Sequence, residues 1–220
     1  MNEEKMCEIC GKRRATDECV SCHKKVCSEC SLPQLGVCTE CSRTKDNELI
    51  SMLVSCGAVQ YGRFRLASGR ESDYYVDMKR AITNIPVLRK VTEMMAPYVT
   101  GSDRIACVEL GAVPIAVVLA MEVGMPYLIV RKEKKGHGTM KPFEGDLSQG
   151  ENVIFVEDVT TTGGSLSRAI GLIRDSGGVV EKALVVVDRE EGATENLGNI
   201  GVELIPLVRA SEIIQQSSAQ

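Results

Sequence analysis

The second half of the chain alternates short, almost wholly apolar runs with longer stretches of helical period. Ile105–Val108, Tyr127–Val130, Val153–Val156 and Ala183–Val187 carry hardly a polar side chain, as strands buried on both faces do. Val113–Val123 and Ser165–Ser176 read as helices between them, and Pro86 opens another that runs through Tyr98. Upstream, Leu49, Ile50, Leu53 and Val54 recur at helical spacing, with Asp46 placed to cap that helix and Gly57 to stop it. Arg63-Phe64-Arg65-Leu66 alternates charged and apolar positions, and the turn Ala67-Ser68-Gly69-Arg70 leads into Tyr74-Tyr75-Val76-Asp77, which suggests a small antiparallel pair. The pattern predicts an open α/β fold, a parallel sheet flanked by helices, with ligands bound beyond the C-terminal ends of its strands.

Before residue 46 large apolar side chains almost vanish and cysteine takes their place. Eight of the ten cysteines form four Cys-x-x-Cys pairs: Cys7/Cys10, Cys19/Cys22, Cys27/Cys30 and Cys38/Cys41. Two residues between sulfurs let both reach one ion, so four pairs supply two four-cysteine zinc sites. A segment this poor in apolar side chains needs metal binding to supply much of its folding free energy. A disulfide scaffold would require a secreted protein. The composition shift divides the chain into a zinc-binding module, residues 1–45, and a second domain, residues 46–220. The spacing between pairs, eight, four and seven residues, resembles that of B-box and related cross-brace zinc fingers, in which the first and third pairs share one ion and the second and fourth the other. Sequential ribbons are the open alternative, and His23 reads as a surface histidine beside its neighbour Cys22.

The overall balance, 220 residues with 44% hydrophobic, 25% charged and a net charge of −4, is that of a folded protein without the basic excess that holds nucleic acid. The module itself carries eight Lys/Arg against seven Asp/Glu in residues 1–45. A protein contact or a purely structural role is therefore the better expectation for it. The longest apolar run, Leu110 to Met121, contains Pro114 and falls short of a membrane span, which needs about 20 residues. The first residues, Met1-Asn2-Glu3-Glu4-Lys5, are polar where a secretory signal is basic and then apolar, so a cytoplasmic location is expected.

The most informative strand end is Val153-Ile154-Phe155-Val156-Glu157-Asp158-Val159-Thr160-Thr161-Thr162-Gly163-Gly164-Ser165. An apolar strand delivers two carboxylates at its tip, and a hydroxyl- and glycine-rich turn then runs into a helix start. Unpaired N–H groups there, the helix dipole and four hydroxyls make a cradle for phosphate. No Lys follows Gly164 as a Walker loop requires. Acids beside a phosphate cradle suit a sugar phosphate, the carboxylates accepting from ribose hydroxyls and the loop holding the 5′-phosphate.

These thirteen residues resemble the phosphoribosyl-diphosphate signature of type I phosphoribosyltransferases. Three further segments, Phe64 to Asp77, Arg131-Lys132-Glu133-Lys134-Lys135-Gly136-His137-Gly138 and Val187-Asp188-Arg189-Glu190-Glu191-Gly192-Ala193, are similar in order and spacing to the orotate phosphoribosyltransferases, over about residues 47 to 215. The resemblance implies the type I phosphoribosyltransferase fold with a small hood. It also implies an Mg²⁺-dependent transfer of ribose 5-phosphate to orotate in pyrimidine biosynthesis, and a homodimer whose basic loop reaches into the neighbouring subunit. Loss of pyrophosphate from C1 builds negative charge on the leaving group, so cations should crowd there. Arg131, Lys132, Lys135 and His137 supply them, and Gly136 and Gly138 let their loop close. By resemblance Lys135 is the catalytic group, with His137 and Asp158 beside it. Glu157, Thr160, Thr161, Thr162, Gly163, Gly164 and Ser165 bind the activated ribose, Arg189 grips the orotate carboxylate with two hydrogen bonds, Thr161 also matches the family's orotate-binding hydroxyl, and Tyr75 and Val76 line the base.

Two positions depart from the family pattern. Many members carry Lys where this chain has Ala67 and Gly111, and both lysines would contact phosphates. A regulator that keeps the ligand pocket while its zinc module contacts DNA or a protein is the alternative reading, and transfer to another base is a weaker third. Retention of the basic loop and Arg189 favours the enzyme.

Overall fold

The computed structural model describes residues 5–19, 22–32, 37–65, 71–132 and 142–217, without the side chains of residues 37, 41–47, 72 and 216–217. Backbone contacts divide the chain into two units, residues 1–51 and 52–220. In the first, two short antiparallel pairs, Asp17–Glu18 with Lys25–Val26 and Ser31–Leu32 with Val37–Cys38, surround a core made of Cys7, Cys19, Cys27, Cys30, Cys38 and Val26, with Ile9 and Cys10 against it. One valine and one isoleucine do not make a hydrophobic core. The sulfurs themselves fill its interior.

Helix α1 spans Thr39–Ser55. It starts seven residues before Asp46, so Asp46 lies inside it and is not its cap. Cys41, the second member of the cysteine pair that read as the end of the zinc module, already belongs to the helix, while Cys38 ends the short strand before it.

In the second unit the antiparallel strands β1 (Val59–Arg65) and β2 (Glu71–Val76) form the small hairpin expected from the alternating pattern. Its turn, Leu66 to Arg70, lies outside the described residues. Two helices follow, α2 (Met78–Ile82) and α3 (Ile85–Met95). Asn84 caps α3, its side chain accepting from the Val87 N–H at 3.2 Å, and Pro97 turns the continuation toward Tyr98 into a single 3₁₀ turn, Ala96–Val99. The remaining elements are β3 (Arg104–Val108), α4 (Val113–Val123), β4 (Tyr127–Val130), β5 (Phe143–Glu144), β6 (Asn152–Thr160), α5 (Gly164–Asp175), β7 (Val179–Asp188), α6 (Ala193–Gly198), β8 (Glu203–Arg209) and α7 (Ala210–Ser217).

Six strands make one sheet in the order β8-β7-β6-β3-β4-β5, parallel except for the edge pair β4/β5. The four apolar runs occupy the interior strands, and Ile105, Leu128, Phe155 and Leu184 are fully buried in them. The order reverses at β6, whose parallel neighbours are β3 on one side and β7 on the other. Loops leaving adjacent strand ends diverge at such a switch and open a crevice. The register pairs Thr160 at the tip of β6 with Asp188 at the tip of β7, so the turns that follow stand side by side.

Candidate active site

β6 brings Glu157 and Asp158 to the carboxyl edge of the sheet. Glu157 is 9% exposed, and burial, reinforced by the neighbouring Asp158 carboxylate, pushes it up to about 9. Lys132 draws it the other way by less, which places that cation within electrostatic reach of the acid pair. The Asp158 N–H donates to Glu157 Oε1 at 3.1 Å, and the Val159 N–H to Asp158 Oδ1 at 2.8 Å. Asp158 also presses on Gly111, where an added Cβ would lie 2.2 Å from Oδ2. Two adjacent carboxyls, one holding its proton more tightly than usual because it is buried beside the other, suit ribose hydroxyls.

After Thr160, itself buried, the chain leaves the sheet through exposed Thr161 and Thr162 and enters α5 at Gly164. Gly163 has φ +76°, a left-handed conformation that favours glycine, and is packed against Ala193. The first N–H groups of α5 and the flanking hydroxyls thus lie together in one turn at the end of β6, an arrangement that can receive an anion.

Arg189 begins the turn beyond β7. Its N–H donates to the Thr160 carbonyl at 2.9 Å, and its guanidinium carbon stands 4.9 Å over the centroid of the Tyr74 ring. Glu191 Oε1 is 3.8 Å away, and Nε is buried without a hydrogen-bond partner. A buried orphan N–H on a planar guanidinium is a donor awaiting an acceptor, and a ligand carboxylate meets that need. Asp188, 1% exposed, holds the turn by accepting from the Glu190 N–H at 2.9 Å and the Thr194 hydroxyl at 3.4 Å.

The sequence-derived residues divide accordingly. Glu157, Asp158 and Thr160 to Ser165 share the end of β6, with Lys132 within electrostatic reach of Glu157 and the Arg189 backbone bonded to Thr160. Tyr75 is 41% exposed on the hairpin, with its ring 5.6 Å from that of Phe64, and Val76 is half-buried beside it. Arg131 is engaged elsewhere, its guanidinium donating to Glu144 on β5. Lys135 and His137 lie outside the described residues. Tyr74 was missed as a site residue, although it lies in the matched hairpin segment.

The cysteines fall into two clusters. The sulfurs of Cys7, Cys10, Cys27 and Cys30 lie within 4.8 Å of one another, as do those of Cys19, Cys22 and Cys38. The contacts Cys10–Cys27 and Cys22–Cys38 are 3.8 Å each. Ligands about 2.3 Å from a tetrahedral ion stand about 3.8 Å apart, so both clusters have the size a metal ion needs. First pair with third, and second pair with Cys38, is the cross-brace arrangement. The Cys41 side chain lies outside the described residues. The four sulfurs are not alike: burial pushes Cys7 up, but N–H groups around Cys10, Cys27 and Ile9 outweigh it and hold that thiol at about 6, whereas burial and then the neighbouring Cys27 sulfur push Cys30 up to about 12. His23 carries a hydrogen-bonding contact to Glu18 Oε1 at 3.3 Å, as a surface histidine does.

Residues 81–200 match the phosphoribosyl transferase domain family. The orotate phosphoribosyltransferase of Methanothermobacter thermautotrophicus is 53% identical over 165 residues, which span 75% of this chain and 92% of the relative. This chain belongs to the orotate phosphoribosyltransferase family. The Methanocaldococcus jannaschii orotate phosphoribosyltransferase is 49% identical over 170 residues, spanning 77% of this chain and 97% of its own. Among solved structures, the orotate phosphoribosyltransferase of Aeropyrum pernix matches with a TM-score of 0.71 at 36% identity, covering 78% of this chain and 99% of that one. The Mycobacterium tuberculosis enzyme in complex with 5-phospho-alpha-D-ribosyl 1-diphosphate matches with a TM-score of 0.63 at 28% identity, covering 77% and 98%. No helix among the described residues is long and apolar enough to cross a membrane.

Proposed function

We propose that the crevice between β6, β7 and the hairpin is where this orotate phosphoribosyltransferase joins its two substrates. The enzyme transfers ribose 5-phosphate from 5-phosphoribosyl 1-diphosphate to orotate, giving orotidine 5′-phosphate and pyrophosphate. The orotate ring nitrogen forms the new bond to C1 as the C1–oxygen bond breaks, and that electron pair leaves with pyrophosphate. Thr160, Thr161, Thr162, Gly163, Gly164 and Ser165 hold the 5′-phosphate, and Glu157 and Asp158 accept from the ribose hydroxyls. Arg189 takes the orotate carboxylate through two parallel N–H donors, with Tyr75 and Val76 along the base.

The transition state carries positive charge on the ribose and negative charge on the departing diphosphate, so Asp158 favours the first while Lys132, Lys135 and His137 favour the second. Arg131 serves by fixing the start of their loop against Glu144. Mg²⁺ would be held largely through the diphosphate substrate, with Glu157 and Asp158 as oxygen donors suited to such a hard cation, and would supply charge neutralisation for the leaving group. Residues 1–45 form a module with two structural Zn²⁺ ions, held by Cys7, Cys10, Cys27 and Cys30 and by Cys19, Cys22, Cys38 and Cys41, ahead of a transferase domain at 46–220. The protein acts as a cytoplasmic homodimer in which the basic loop is shared between subunits, and the module offers a protein contact.

The observation that carries this reading is the 2.9 Å bond from the Arg189 N–H to the Thr160 carbonyl, which sets the carboxylate-binding group against the phosphate hollow. Orotate consumption, followed by ultraviolet absorbance with Mg²⁺ and phosphoribosyl diphosphate, tests it. Wild-type protein should turn over, and Lys135→Ala should lower kcat by about 100-fold while leaving diphosphate affinity nearly intact. A Lys135→Ala enzyme as fast as wild type would remove Lys135 from the chemistry.

A further inference from the structure

The phosphate hollow is shaped from outside by α6. Asn196 Nδ2 donates to the Thr162 carbonyl at 2.9 Å, and Gly163 next to it leans on Ala193 and Leu197, where an added Cβ would lie 3.4 and 3.5 Å from their atoms. In a trans peptide the carbonyl and the following N–H point in opposite directions. A Thr162 carbonyl fastened to α6 therefore turns the Gly163 N–H away from α6. The same logic holds two residues earlier, where Arg189 N–H fastens the Thr160 carbonyl and so turns the Thr161 N–H away from β7. Of these three restraints, one is a backbone bond and one a packing contact of Gly163 with apolar side chains. The third depends on a single side-chain amide. Asn196 is itself fixed, its N–H donating to the Gly192 carbonyl at 3.0 Å in a turn that buried Asp188 holds.

We propose that Asn196 is a positioning residue for the phosphate loop: it pins the Thr162 carbonyl outward so that the Gly163 N–H is aimed at the donor's 5′-phosphate. The α6 segment thereby joins the turn that carries Arg189 to the loop that grips the phosphate. This rests on the assignment of Thr160 to Ser165 as the phosphate cradle.

Two variants separate a positioning role from mere packing. Asn196→Ala removes the donor, and the KM for phosphoribosyl diphosphate should rise about 3- to 10-fold, the range of one lost neutral hydrogen bond. KM for orotate should stay within twofold. Asn196→Asp keeps the volume but sets a carboxylate oxygen against the carbonyl, so its KM for the diphosphate should rise at least as far as that of Asn196→Ala. If packing were the whole role, Asn196→Asp would behave as wild type and Asn196→Ala would lose thermal stability with both KM values unchanged. Either outcome overturns the proposal. Thr162→Val paired with Ser165→Ala provides the separate check on the cradle. If that variant leaves the KM for the diphosphate unchanged, the cradle assignment fails; if it raises the KM while the Asn196 variants do not, only this inference fails.

Discussion

Replacing Gly111 by alanine should damage catalysis out of proportion to its size. The new Cβ would sit 2.2 Å from Asp158 Oδ2 and 2.8 Å from Asp158 Cγ, so the carboxylate must retreat by at least about 1 Å to reach ordinary contact. A shift of about 1 Å in a group that contacts the reacting ribose costs roughly 100-fold, or about 2.7 kcal/mol of transition-state stabilisation. Folding should change by less than about 1 kcal/mol, because alanine at a permissive backbone position also restricts the unfolded chain. Initial rates of orotate consumption give kcat/KM, and thermal unfolding gives the stability control. Gly111→Lys makes the test sharper. If this position merely lacks a phosphate-binding lysine, restoring one accelerates the enzyme; if the position must be empty for Asp158, the lysine slows it like alanine. A Gly111→Ala enzyme within threefold of wild type, or a faster Gly111→Lys enzyme, would refute the reasoning.

Further outcomes follow from the same geometry. Arg189→Lys keeps the charge but loses the planar fork, so KM for orotate should rise about 10- to 100-fold with the KM for phosphoribosyl diphosphate within twofold; equal changes in both would contradict the assignment. Glu151 is held down from its ordinary 4.5 to about 2, first by Arg104, whose Nε and Nη2 donate to it at 2.9 and 2.8 Å, and then by the Ser148 N–H. Because the folded value is the lower one, this stabilisation is complete above about pH 5 and fades as pH falls toward 2. Glu151→Gln should therefore lose about 1 to 2 kcal/mol in urea titrations at pH 7, and the gap from wild type should close between pH 5 and 2. A gap independent of pH would remove the ion pair from the explanation. Elemental analysis should find about two zinc per chain, and protein that folds fully after exhaustive chelation would show the module does not depend on metal.

The interior of the sheet was legible because Ile105–Val108, Val153–Val156 and Ala183–Val187, the middles of β3, β6 and β7, are buried throughout and carry no polar position to blur them. Strand β8 was not. It lies at the sheet edge with Pro206 in its middle and charged Glu203 and Arg209 at its ends, which a search for apolar runs passes over. The start of α1 was hidden because Thr39-Glu40-Cys41-Ser42 reads as a metal-binding pair before it reads as a helix. In the site, the strand-end acids and hydroxyls were legible because their chemistry is contiguous in sequence. Tyr74 under Arg189 and Asn196 on Thr162 arise only where distant segments meet, and pairwise approach leaves no periodic trace. Gly111 was visible only as a missing lysine; its physical reason is the carboxylate that lies where a side chain would begin. Cysteine spacing allowed both sequential and cross-brace pairing, and only the sulfur positions separate them.

The most direct measurement is a crystal structure of the protein with phosphoribosyl diphosphate and Mg²⁺. The account predicts the 5′-phosphate within hydrogen-bonding distance of the Gly163 N–H and the Thr161, Thr162 and Ser165 hydroxyls, with the ribose hydroxyls on Glu157 and Asp158 and the Arg189 guanidinium open to a carboxylate. A diphosphate bound away from the end of β6, with the loop from Thr160 to Ser165 untouched, would contradict it.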